Sequence, residues 1–353
     1  MTRLLEILIS FAIVAALFVA VGIFLPSSRS LSHSVETNRK PTIVFDTLNS
    51  FARFDEWNPL VRRDPTVKLS MSGPQSGKGA AMSYTSKEMG AGRYEIVESD
   101  PGKKVTYAIE NEQPGNDKRT SFLLKRVGRG GRNVEITQNY EVDYGFNIIG
   151  RYAGLYVNTN VGEDVKLGLS RLTNMLAGVP NIDYGNLPRE FQSPLPSLAE
   201  RPAETLLVVS ATVETDFDKI KGQMNGNNEW IRKVMASNGL EAAGPIRMIT
   251  NEQGAQNYSF DLAQPVRKAG VTGPISGIRV EGPVKVLQTE PARVATTTFK
   301  GHMANLQKLR DALRAWALTH GYETVDRPYE NWTAGINPGF TNDGQYVVQW
   351  AVK

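Results

Sequence analysis

Cysteine is missing from all 353 residues, so no disulfide, thiolate nucleophile or thiolate metal ligand can form. Histidine is almost as scarce. His33, His302 and His320 are the whole supply, no two of them are spaced for one metal ion, and neither a metal nor any other cofactor is expected. Charge of one sign is also in short supply, since a net charge of +4 makes the surface only weakly basic. The densest basic stretch, Lys118 to Arg132, alternates with Phe122, Leu124 and Val127 and turns at Gly128-Arg129-Gly130-Gly131. That pattern is read as the solvated face of a hairpin, with contact to anionic lipid headgroups as the alternative. No recognition helix accompanies it, so no nucleic-acid partner is expected. Catalytic signatures are lacking too. Gly73-Pro74-Gln75-Ser76-Gly77-Lys78-Gly79 has three residues rather than four between its glycines and no Ser or Thr after Lys78, which makes it a turn rather than a phosphate loop.

Long apolar runs are absent with one exception. Nineteen uncharged residues, Ile7 to Leu25, match the length of a helix that crosses a bilayer core of roughly 30 Å at about 1.5 Å per residue. A cleaved signal peptide would have a shorter apolar region and a small-x-small site, whereas this run closes on Phe24-Leu25-Pro26. A buried soluble helix would keep a polar face, and Phe11, Leu17, Phe18 and Phe24 leave none. The run is therefore expected to contact a membrane through residues 7–25 as a single-pass anchor, in a bacterial inner membrane. Arg29, Arg39 and Lys40 after the run weigh toward a cytoplasmic C-terminal side, while short tails before a first helix commonly stay inside, so the soluble part is placed in the periplasm as an expectation.

Beyond this anchor (1–28), prolines at 188, 194, 196 and 202 mark a linker at 184–203 that separates a domain at 29–183 from one at 204–353. The first domain alternates apolar and polar residues at 82–85, 94–97, 105–109 and 134–137, the period of half-buried strands. It then changes period. Val161, Val165, Leu169, Leu172 and Leu176 recur at helical spacing and predict a helix packed on an antiparallel sheet. Together with a strand beginning His33-Ser34-Val35, a short helix around Phe45 to Phe54, the Trp57-Asn58-Pro59 turn and Gly77-Lys78-Gly79, this domain resembles the START-like SRPBCC/polyketide cyclase superfamily. The resemblance implies a helix-grip fold whose curved sheet and last helix enclose an apolar cavity for a lipid or small hydrophobic molecule. The family commonly has small apolar residues where this chain has Lys40-Pro41. Trp57, Tyr84 and Tyr107 are the candidate cavity residues, and each can equally serve as core filling.

The second domain repeats itself. A strand at 206–213, a helix carrying Phe217, Ile220, Met224, Ile231 and Val234, a glycine stop at Gly239 and two further strands are followed by the same order: a strand at 292–299, a helix with Leu306, Leu309, Leu313 and Trp316, Gly321, and strands at 329–334 and 346–352. Phe299-Lys300-Gly301-His302, Leu309 to Trp316, Gly321-Tyr322 and Arg327-Pro328-Tyr329-Glu330-Asn331-Trp332 make this half similar to the GyrI-like family, the effector-binding domain of AraC-type and BmrR-type regulators. In that family the acidic residue of the Tyr-Glu-x-aromatic motif lies at the bottom of a ligand cleft, which falls here on Glu330, with Trp332 in place of the usual tyrosine. Strand alternation puts Glu330 and Trp332 on one face and Tyr329 and Asn331 on the other. Tyr258, Trp316 and Tyr329 complete the candidate ligand-binding set.

The fold class expected is α+β: an N-terminal transmembrane helix, a helix-grip (START-like) domain, then a duplicated βαββ (GyrI-like) domain. The expected function is a membrane-anchored small-molecule-binding protein with two modules, sensing or carrying a hydrophobic or cationic ligand. The alternatives are a hydrolase using Glu330 or a cyclase-like enzyme in the first cavity. No catalytic residue is assigned.

Overall fold

Helix α1 (Thr2–Phe24) coincides with the apolar run and its side chains are exposed almost throughout. Among the residues described by the computed structural model (2–188, 191, 193–271 and 273–353) it is the one helix long and apolar enough to cross a membrane, with a mean hydropathy of 2.9 over Arg3–Phe24. Pro26, which cannot continue the helix, follows its end. The chain divides into two units, Met1–Asn181 and Ile182–Lys353.

In the first unit, β1 (Ser28–Thr37) leads to three short helices, α2 (Pro41–Leu48), α3 (Phe54–Trp57) and α4 (Leu60–Arg63). Pro41 sits in the first turn of α2, where a missing N–H costs nothing. Six strands follow, β2 (Lys68–Ser72), β3 (Ala81–Ser86), β4 (Gly90–Asp100), β5 (Lys104–Asn111), β6 (Asn116–Val127) and β7 (Asn133–Asp143), and the unit closes with α5 (Ile148–Ala153) and α6 (Val157–Ala177). The seven strands form one antiparallel sheet in the order β1-β7-β6-β5-β4-β3-β2. A bulge in β4 between Ile96 and Glu98 bends the long central strands. Val165, Leu169, Leu172 and Leu176 of α6 are all buried, as their spacing predicts. The glycine-rich segment 73–79 is a turn between β2 and β3, with Gly73, Gly77 and Gly79 at positive φ. One expectation fails here: Lys118 is buried, not solvated. Its ammonium donates to Asn111 Oδ1 at 2.7 Å and to the Asn111 and Gln113 carbonyls, and burial pushes its pKa down.

The second unit holds β8 (Ser197–Arg201), β9 (Glu204–Glu214), α7 (Phe217–Asn238), β10 (Glu241–Ala242), β11 (Arg247–Gln253), β12 (Asn257–Arg267), β13 (Lys285–Thr289), β14 (Ala292–Lys300), α8 (Leu306–Thr319), β15 (Tyr329–Trp332) and β16 (Gln345–Ala351). The sheet runs β13-β9-β12-β11-β15-β16-β14-β8, with β10 on β12. Within it β9-α7-β11-β12 and β14-α8-β15-β16 are the two repeats, and they meet where β11 pairs antiparallel with β15, Met248 opposite Glu330. Asp216 caps α7 by accepting from the Lys219 N–H, and Gly239 ends it in the left-handed conformation. The segment 184–203 departs from its reading as a linker. Tyr184 is buried with its hydroxyl 2.9 Å from Thr319 Oγ1, Phe191 packs edge-on against Phe299, and β8 pairs with β14. Its prolines break helices and end strands, yet its aromatic residues still anchor it to this core.

Candidate functional site

The cavity of the first unit occupies about 380 Å³ between the sheet and α6. Strand alternation builds its wall, because residues two apart face the same side: Tyr107 and Ile109 from β5, Thr120 and Phe122 from β6, Gln138 and Tyr140 from β7. Tyr84 comes from β3 and Tyr94 from β4. Trp57 also lines it, in a turn where Asn58 accepts the Leu60 N–H and next to Gly168 of α6. Trp57, Tyr84 and Tyr107, singled out in the sequence, thus all line this cavity. Alternation within the strands could have found Tyr94, Gln138 and Tyr140 as well; Arg63, Asn160 and Asp164 at the rim carried no such signal.

Electrostatically the cavity is close to neutral. Burial pushes the Tyr140 phenol up to about 12 and raises Tyr84, Tyr94, Tyr107 and Tyr144 as well, so these hydroxyls stay protonated at neutral pH. Arg63 and Asp164 cancel each other in an ion pair of 2.6 Å. Burial raises the Asp164 pKa against the pull of Arg63. Two polar atoms stand out. Gln138 Nε2 donates to Thr120 Oγ1 at 3.0 Å, and Thr120 in turn donates to the Asn139 carbonyl, which leaves Gln138 Oε1 as a buried acceptor. Neither this oxygen nor the indole N–H of Trp57 has a hydrogen-bond partner among the described residues, although Gln138 is only 8% and Trp57 only 1% exposed. Such groups cost about 1–3 kcal/mol each when left unmet, so their place in a cavity wall is a feature of the site.

The residues singled out in the second unit do not come together as one site. Glu330 is fully buried, and both its oxygens are taken by Arg310 of α8, Nε to Oε1 at 2.7 Å and Nη2 to Oε2 at 2.9 Å. Arg310 also donates to the Tyr258 hydroxyl at 3.1 Å and to Gln253 Oε1 at 3.0 Å, and Tyr258 lies 2.9 Å from Thr250 Oγ1. Burial opposes the Arg310 charge, but Glu330 and Tyr258 outweigh it and push its pKa up. The carboxylate is therefore one half of an internal ion pair instead of a cleft-floor charge open to a cation. Tyr329 lies across the sheet in a separate cluster with Leu206, Val208, Ile249 and Ala263, with the Arg247 guanidinium 4.3 Å from its ring centre. Trp316 is half-buried and stacks on His320 and Tyr322. Trp332 lines a pocket of about 410 Å³ together with Asn225, Asn228, Arg232, Gln264 and Asn337. Arg310 was the residue missed, and its spacing on α8 gave it away only as a polar interruption. No cluster of metal-ligating side chains occurs among the described residues.

Comparison with known proteins finds a family match in the first unit. Residues 28–176 match the family described as polyketide cyclase / dehydrase and lipid transport, in keeping with the resemblance seen in its sequence. Among solved structures, the chain is similar to the C-terminal domain of EcmrR (20% identity, TM-score 0.36, covering 45% of this chain and 96% of that one). It is also similar to a Thermobifida fusca protein solved by NMR (17%, 0.34, 42% and 93%) and to norcoclaurine synthase from Thalictrum flavum (11%, 0.33, 44% and 90%). Among curated proteins, none matches this sequence.

Proposed function

We propose that this is a single-pass membrane-anchored protein whose first unit holds an uncharged small molecule, largely apolar, carrying one hydrogen-bond acceptor for the Trp57 N–H and one donor for Gln138 Oε1. Two unmet, buried polar groups on residues that line a neutral, tyrosine-rich cavity carry the reading. A cation gains little there, because the phenols stay neutral and Asp164 is already paired with Arg63. A cationic ligand on Glu330 would have to displace Arg310, and a hydrolase would need the same carboxylate freed, so neither alternative gains support from the second unit. Its Asn-rich pocket beside Trp332 is the second, more polar binding place in this reading. The α1 anchor in a bacterial inner membrane, with the soluble units in the periplasm, remains part of the proposal.

The test uses the full chain in detergent micelles titrated with 2-naphthol, a neutral aromatic with one hydroxyl, while the indole N–H proton of Trp57 is followed by NMR. That signal, assigned by its loss in Trp57→Phe, is expected to shift on saturation, and Trp57→Phe or Gln138→Leu is expected to weaken binding roughly five-fold, the loss of about 1 kcal/mol of one neutral hydrogen bond. An indole signal that does not move at saturation would sink the cavity assignment.

A further inference from the structure

The segment 144–157 (YGFNIIGRYAGLYV) contains one charged residue, Arg151, and that residue does not face water. Its guanidinium donates to the carbonyls of Ile23 at 2.7 Å and Leu25 at 3.2 Å, at the C-terminal end of α1, and to Gly145. A cation at the negative end of a helix is favourably placed, and here it joins α1 to α5. The outward side of the segment is apolar: Phe146 is 97% exposed, Ile149 71%, Tyr156 65% and Leu155 50%. Four large apolar side chains within eleven residues, with no charge among them, do not make an ordinary solvated face.

Their level along α1 can be read from the contacts. Tyr152 stacks on Phe18 with ring centres 4.4 Å apart and donates to the Phe18 carbonyl at 2.9 Å, while Ile148 lies against Gly22, where an added Cβ would come within 2.2 Å of its Cγ2. Phe18 precedes the end of α1 at Phe24 by six residues, or about 9 Å at the helical rise. The 22 residues Arg3–Phe24 of α1 give about 33 Å against a bilayer core of roughly 30 Å, so there is little slack. If α1 spans a bilayer, α5 sits beside its last two turns and cannot stand clear of the lipid.

We propose that residues 146–156 form a second membrane-contacting element, lying in the outer layer of the bilayer beside α1 and setting one wall of the cavity against the membrane surface. That wall is the contribution of Ala153 and Tyr156, which come from this segment and line the cavity, with Val157 next to them at the start of α6. The apolar faces and the depth match those of interfacial helices, which sink about 5–10 Å into the headgroup and acyl boundary. The proposal rests on the anchor reading of α1, and its test separates the two.

Because the chain has no native cysteine, single cysteines at Phe11, Phe146, Ile149 and Arg129 can be labelled with NBD in the full-length protein reconstituted in phosphatidylcholine vesicles containing nitroxide-labelled lipid. Arg129, at the β6–β7 hairpin, is the control: β1 pairs with β7 from Ser28↔Asp143 to Thr37↔Val134, so the hairpin lies about 30 Å along the strands from the end of α1. The expected result is loss of emission by deep nitroxides at Phe11→Cys, loss by shallow nitroxides with a blue shift at Phe146→Cys and Ile149→Cys, and neither at Arg129→Cys. Quenching at Phe11 without quenching at Phe146 and Ile149 overturns the inference and leaves the anchor standing, including the case where a second protein covers the patch. No quenching at Phe11 overturns both, and quenching at Arg129 equal to that at Phe146 overturns the inference as non-specific adsorption.

Discussion

At the scale of single residues, the ion pair in the second unit gives the sharpest expectation. Glu330→Gln leaves the Arg310 guanidinium buried without its countercharge, and removing one member of a buried pair typically costs about 3–5 kcal/mol. The thermal transition of the second unit should fall accordingly, whereas Arg310→Met combined with Glu330→Leu should recover much of the loss, as apolar replacement of a whole pair often does. Equal destabilisation by the single and double variants would show that the pair holds more than its own charge. Asp64 offers a pH test. Hydrogen bonds from the Ser86 hydroxyl at 2.6 Å, the Thr66 hydroxyl and the Thr66 N–H hold its carboxyl at about 2, below its ordinary 3.8. Its folded pKa is depressed, so its contribution is complete above 3.8 and is lost as pH falls through about 2. Chemical denaturation between pH 4.5 and 2, run on wild type and Asp64→Asn, should therefore converge at the acid end; curves that stay parallel would refute that role. Both sites also show what was legible. Glu330 and Trp332 were correctly placed on one face by alternation alone. What alternation could not reveal was the residue opposite: a 3.6-residue period on α8 marks positions, not partners, and Arg310 meets Glu330 only through the tertiary fold.

At the scale of elements, periodicity was a good guide wherever one face is buried. The α6 stripe, the paired repeats and the hairpin at Gly128–Gly131 all follow from it. It failed at 184–203, where proline spacing signals a break in regular structure and says nothing of whether the broken segment packs. Tyr184, Phe191 and β8 place that stretch on the second unit, so a fragment of residues 182–353 should unfold cooperatively and a fragment of 203–353 should melt lower. Phe191→Ala in the full chain should lower the stability of this unit by about 3–5 kcal/mol, the usual range for an emptied core aromatic. If 203–353 melts as high as the longer fragment, the segment is a linker after all. The joint between α1 and α5 is a second element-level test. Gly22→Leu cannot fit against Ile148, and hydrogen exchange in 148–153 should quicken in that variant while exchange in β4 to β7 stays unchanged.

At the scale of the whole molecule, the proposed anchor rests on composition and helix length, and a fold alone cannot complete it because the bilayer is no part of the chain. Membranes carrying the full chain are expected to retain it after a high-salt wash, and a chain lacking residues 1–26 is expected to leave with the supernatant. Protease added to intact spheroplasts should digest the second unit; protection would place the soluble part in the cytoplasm.

The α1–α5 joint then has a mechanical meaning. A domain hung from a membrane by a loose loop can be pulled but not turned, since a slack tether carries tension and no torque. Here a guanidinium clamped on helix-end carbonyls, a stacked pair of rings and a glycine-tight contact hold the mast at three points. With α1 in a bilayer, any tilt of that helix, whether from a thinner membrane or from crowding, would swing the whole first unit through the same angle, and the heading of its cavity would follow the membrane rather than thermal tumbling.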